Sequence, residues 1–118
     1  MKLAFVFPGQ GSQSVGMMQG FADSAAAKAV LTEASEALGE DLAGLIANGP
    51  AETLSLTTNT QPVMLTSGLA SFAAWREAGG PMPTIVAGHS LGEYTALVAA
   101  GVLTLADAVR LVRVRAQA

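Results

Sequence analysis

The sequence predicts an α/β fold built on a parallel sheet. Two apolar runs, Leu3 to Phe7 and Thr84 to Ala87, each lead into a glycine-bearing turn and then into helical sequence. An unbroken run of this kind suits a parallel strand covered on both faces. Strands alternating with helical stretches define the class. Two parallel strands do not make a stable sheet alone, so the sheet is expected to be incomplete. Composition agrees. Charged residues are 13% of 118 and hydrophobic residues 51%, whereas a typical domain carries roughly 25% charge. Part of the surface is expected to be covered by something absent from the chain.

Leu3 to Phe7 ends at Pro8, too short for a signal segment, and Pro8-Gly9-Gln10-Gly11-Ser12-Gln13 follows as a glycine-rich loop. Val15 to Phe21 is expected as a short helix. Ser24 suits the N-cap of a helix through Leu38, with Gly39 as its stop. Asp41 to Ala47 and Ala51 to Leu56 read as short helical turns separated by Asn48-Gly49-Pro50. Thr60-Gln61-Pro62 is expected to open a longer helix, with Thr60 as N-cap, that Gly79-Gly80-Pro81 ends. Thr84 to Ala87 is the second strand, followed by a helix from Glu93 to Ala100 closed by Gly101. Thr104 caps the last helix, with Asp107 placed as in a capping box.

Gly88-His89-Ser90-Leu91-Gly92 carries the chemistry. A strand, a sharp turn centred on a serine and a helix make a nucleophile elbow, which exposes the hydroxyl on a strained backbone. The residue after the serine begins the helix, so the Leu91 N–H is free to meet a developing oxyanion. Loops at the C-terminal ends of neighbouring parallel strands converge. An N–H near Gln10 in the first loop is then the second oxyanion donor. A tight turn whose serine merely caps the helix is the plainer alternative. The first loop is a poor dinucleotide site, because Ser14 stands where a third glycine belongs.

A serine needs a base. The single histidine, His89, adjoins Ser90 and is expected to pack under the turn rather than act as base. Without cysteine or a His/Asp/Glu cluster, no metal site and no disulfide is expected. The net charge of −3 argues against nucleic acid as partner. No run reaches membrane-span length, and the expected location is the cytoplasm. Arg115 shares a face of the last helix with Ala108 and Leu111, whereas Arg110 and Arg113 are expected in solvent. An arginine continuing an apolar stripe needs an anion. Spacing favours an internal carboxylate such as Glu93; a substrate carboxylate held bidentately is the alternative.

Four motifs in order resemble the malonyl-CoA:acyl carrier protein transacylases of the acyltransferase family. They are Phe5-Val6-Phe7-Pro8-Gly9-Gln10-Gly11-Ser12-Gln13 with Gly16-Met17, Thr60-Gln61-Pro62, Gly88-His89-Ser90-Leu91-Gly92-Glu93-Tyr94, and Ala106-Asp107-Ala108-Val109 through Arg115. The resemblance implies transfer of malonyl from coenzyme A to the phosphopantetheine thiol of acyl carrier protein, in fatty acid biosynthesis, through a malonyl-serine intermediate. It implies Ser90 as nucleophile, Gln10 and Leu91 as oxyanion-hole donors, Arg115 as partner of the malonyl carboxylate and Gln61 as a residue lining the site. No resident cofactor is implied; the coenzyme A thioester is substrate. The implied fold is an α/β-hydrolase-like large subdomain interrupted by a ferredoxin-like small one. Residues 1–118 resemble the first part of the large subdomain. The family's histidine base, the remaining strands and the small subdomain fall outside them, so the chain alone is expected to be inactive. A serine esterase or lipase, and a non-catalytic module that binds acyl groups or carrier, are the competing readings. An esterase would be expected to carry an HGGG-type loop and has no need of Arg115.

Overall fold

The structure, a computed structural model, describes residues 3–11 and 13–117. Met1, Lys2, Ser12 of the first loop and Ala118 lie outside them. In chain order the elements are β1 (Ala4–Phe7), a 3₁₀ turn (Gln19–Phe21), α1 (Ala25–Leu38), α2 (Leu42–Asn48), α3 (Ala51–Leu54), α4 (Thr57–Glu77), β2 (Ile85–Gly88), α5 (Leu91–Ala99) and α6 (Leu105–Gln117). The strands pair in parallel, with Phe5 opposite Val86 and Phe7 opposite Gly88. The described chain is thus a helix-rich α/β unit around two parallel strands.

Helix boundaries follow local chemistry. The Ser24 hydroxyl accepts from the Ala27 N–H at 3.1 Å and donates to Glu77 Oε1 at 2.7 Å. Glu77, at the end of α4, also accepts from the Ala26 N–H, so it closes the start of α1. Gly39, at φ 68°, ends α1, where the Glu40 N–H donates to the Ser35 carbonyl. Asp41 caps α2 through the Gly44 N–H, and Thr104 caps α6 through the Asp107 N–H.

Two expectations fail by more than two residues. No helix spans Val15 to Phe21, because Gly16 adopts φ 78° and donates to the Ile46 carbonyl, leaving turns and one 3₁₀ segment. Helix α4 begins at Thr57 and not at Thr60. The Asn59 and Thr60 N–H groups both donate to the Leu56 carbonyl, adding a turn in front. Thr60 is buried, and its hydroxyl donates back to the Leu54 and Leu56 carbonyls.

The core lies between α1, α4 and α6, with α2 and α5 closing it. Leu42, Ile46, Val63, Leu65, Leu91 and Val112 are almost fully buried there. On the sheet, Phe5 and Phe7 meet Phe72 of α4 edge-on, with ring centroids 5.3 and 6.2 Å apart. Cover on both faces, expected from the apolar runs, is not found among the described residues. Val6 and Ile85, on alternate positions, are 75% and 59% exposed. No helix among the described residues is long and apolar enough to cross a membrane.

Candidate active site

β2 ends at Gly88 and α5 starts at Leu91, leaving two residues to reverse the chain. The turn is possible because two glycines bring backbones together. A Cβ on Gly88 would overlap the Gly92 carbonyl, and one on Gly92 would overlap the Phe7 carbonyl. Ser90 takes the strain, at φ 54° and ψ −114°. It is the one non-glycine residue with positive φ among the described residues. The Gly92 and Glu93 N–H groups donate to the His89 and Ser90 carbonyls at 2.9 and 3.0 Å. The Leu91 N–H has no acceptor among the described residues.

The first loop lies against this turn. A Cβ built on Gly9 would stand 3.0 Å from the His89 carbonyl oxygen and 3.9 Å from the Ser90 Cβ. The Gln10 side chain turns away and donates to Thr57 Oγ1 at 3.2 Å, tying the loop to the start of α4. The Gln10 N–H, like that of Leu91, has no acceptor among the described residues.

Arg115, in the last turn of α6, reaches the serine from the other side. One Nη donates to Ser90 Oγ at 2.8 Å, the other to Gln61 Oε1 at 2.6 Å. Its guanidinium carbon stands 5.4 Å from the centroid of the Tyr94 ring. Gln61 is buried in the second turn of α4. The structure therefore brings Ser90, Leu91, Arg115 and Gln61 to one place, with the first loop against the turn at Gly9, the residue before Gln10.

Four sequence expectations need correction. Glu93 is not the partner of Arg115; it is exposed and sits beside Val86, Ala87 and Leu97. Among the described residues Arg115 forms no ion pair with any carboxylate. Leu111 is 45% exposed, and the buried stripe of α6 runs through Ala108 and Val112, three residues before Arg115. Arg113 is not in solvent: its side chain is 16% exposed and grips both carboxylate oxygens of Glu40, at 2.5 and 3.2 Å. Glu40 lies 73 residues away in sequence, a distance no helical spacing can read. Arg110 is exposed as expected, and its Nε donates to the Ala37 carbonyl. His89 is exposed, not packed under the turn, because it continues the alternate positions Ile85 and Ala87 on the open side of β2. Tyr94 was legible only as part of a motif. Its place four residues after Ser90, on the same helical face, is the signal that locates it.

Residues 4–118 match the acyl transferase domain family, and the chain belongs to that family. It is 55% identical, over 97% of its length, to a malonyl CoA-acyl carrier protein transacylase of Salmonella typhimurium, of which it covers 37%. The crystal structure of an acyl-carrier-protein S-malonyltransferase from Burkholderia pseudomallei superposes with a TM-score of 0.97 at 67% identity, over 99% of this chain and 38% of that one. A malonyl-transacylase solved in complex with its type II PKS acyl-carrier protein superposes at 0.93, with 45% identity, over 99% of this chain and 38% of that one. The chain thus spans little over a third of the length of the relatives it matches.

Proposed function

We propose that these residues form the N-terminal part of the α/β-hydrolase-like large subdomain of a cytoplasmic malonyl-CoA:acyl carrier protein transacylase acting in fatty acid biosynthesis. The observation that carries this reading is the Arg115 guanidinium 2.8 Å from Ser90 Oγ, with no carboxylate partner among the described residues. A half-buried cation that meets no anion among the described residues, beside an exposed hydroxyl on a strained turn, suits an acyl group that ends in a carboxylate.

Ser90 Oγ attacks the thioester carbonyl of malonyl-CoA, and its proton passes to a base contributed from outside these residues. His89, exposed on the other side of the strand, is not that base. The N–H groups of Leu91 and Gln10 donate to the oxyanion, each contributing about 3 kcal/mol. Collapse breaks the C–S bond and releases coenzyme A as its thiol, with the proton returned by the base. The phosphopantetheine thiol of acyl carrier protein then attacks the malonyl-serine ester, and the same steps run in reverse. Arg115 holds the malonyl carboxylate throughout, so its hydrogen bond to Ser90 gives way when substrate enters. The chemistry needs no resident metal or cofactor.

The test is the mass of the full-length protein after incubation with malonyl-CoA. The wild type is expected to gain one malonyl group and the Ser90→Ala variant none. An adduct that persists in Ser90→Ala removes Ser90 from the role of nucleophile. Carrier binding by a wild type that never acylates would favour a non-catalytic module instead.

A further inference from the structure

Arg115 is held by more than its two hydrogen bonds. Its guanidinium carbon lies over the Tyr94 ring, 5.4 Å from the centroid, within the range of a cation–π contact. Tyr94 stands one helical turn after Ser90 on α5, so the ring and the serine hydroxyl meet the guanidinium from one helix. Gln61 meets it from α4. The two hydrogen bonds use two of five N–H donors and still allow the plane to swing about the line joining them. A ring 5.4 Å from the guanidinium carbon limits that swing. Tyr94 is itself fixed, because it is half-buried and packed against the hydrophobic core.

We propose that Tyr94 is a positioning residue: its ring sets the plane of the Arg115 guanidinium, and through it the preference for acyl groups that carry a free carboxylate. This rests on the reading of Arg115 as the carboxylate partner. A carboxylate is bound by two coplanar N–H groups, so an arginine whose plane wanders offers a point charge rather than a fork. A neutral acyl group such as acetyl does not use the fork. Loss of the ring therefore lowers malonyl transfer and leaves acetyl transfer in place.

The experiment measures kcat/KM for malonyl-CoA and for acetyl-CoA with the full-length protein and its Tyr94→Phe, Tyr94→Leu and Arg115→Ala variants. Tyr94→Phe is expected to keep the malonyl-to-acetyl ratio, and Tyr94→Leu to lower it about five-fold or more. Phenylalanines of increasing ring fluorination at position 94 keep the shape while draining the ring face of negative charge. Their ratio is expected to fall stepwise, which settles the matter even if Tyr94→Leu folds poorly. Equal losses for both substrates, or a ratio indifferent to fluorination, would overturn the proposal. If Arg115→Ala lowers the ratio and the Tyr94 series does not, Tyr94 alone is excluded. If Arg115→Ala leaves the ratio unchanged, the reading of Arg115 fails and this proposal with it.

Discussion

At Arg115 a single side chain spans two partners that lie far apart in sequence, Gln61 and Ser90. Its two Nη groups hold these partners in one fixed plane, whereas lysine offers one compact ammonium with no such fork. On the proposed reading, Arg115→Lys in the full-length protein is therefore expected to keep the positive charge yet lose most of the preference for malonyl. Losing one partner of a desolvated charge pair costs about 2–5 kcal/mol, so a fall of at least about 30-fold in kcat/KM for malonyl-CoA is expected for Arg115→Ala, with Arg115→Lys between it and the wild type. Steady-state kinetics with malonyl-CoA and acetyl-CoA checks both. Gly92 makes a second demand on one residue. Its Cα–H faces the Phe7 carbonyl so closely that a methyl group cannot enter without parting α5 from β1. Gly92→Ala is expected to lower the urea midpoint by the equivalent of about 1–3 kcal/mol, and to displace Ser90 from Arg115 as well.

Among the elements, α6 is pinned at two adjacent points, Arg113 to Glu40 and Arg115 to Gln61. Arg113 also approaches Asn59 at 3.5 Å, so the clamp joins α6 to both the end of α1 and the first turn of α4. Glu40 is about half exposed, which tempers what the pair is worth. Arg113 is not, and removing its partner strands a mostly buried charge. Glu40→Gln is expected to cost about 1–2 kcal/mol in denaturant unfolding, with less loss at high salt if solvent screening already weakens the pair. These links mark the limit of the sequence. Helices α1, α2 and α6 were legible because Ser24, Gly39, Asp41 and Thr104 act on neighbours within four residues. The turn at Ser90 was legible because its glycines and serine are contiguous. The partners of Arg113 and Arg115 were not, because packing between helices chose them. The start of α4 was misplaced because Thr57 to Asn59 has the composition of a loop and is made helical by carbonyls of the preceding turn.

On the scale of the whole molecule, the odd composition finds its place in the architecture. Val6 and Ile85 stand exposed on the open side of the sheet, and an apolar groove of about 650 Å³ lined by Phe5, Phe7, Phe72 and Trp75 opens beside it. The charge that a small unit would spread over its surface is low because much of that surface is apolar. The site stands at the seam where strands, α4, α5 and α6 converge, so its geometry is a property of the packing as a whole. On the proposed reading, stability and activity therefore meet at Ser90. Its φ of 54° is a conformation that glycine adopts freely and that costs other residues about 1–3 kcal/mol. Ser90→Gly is expected to melt above Ser90→Ala, since both lose the hydroxyl but only alanine keeps the strain; differential scanning calorimetry of the two variants reads the difference directly. The consequence reaches into engineering. A directed-evolution campaign that rewards heat endurance alone would drift toward glycine at this position and harvest robust but inert protein, so any such campaign here needs a catalytic counter-screen.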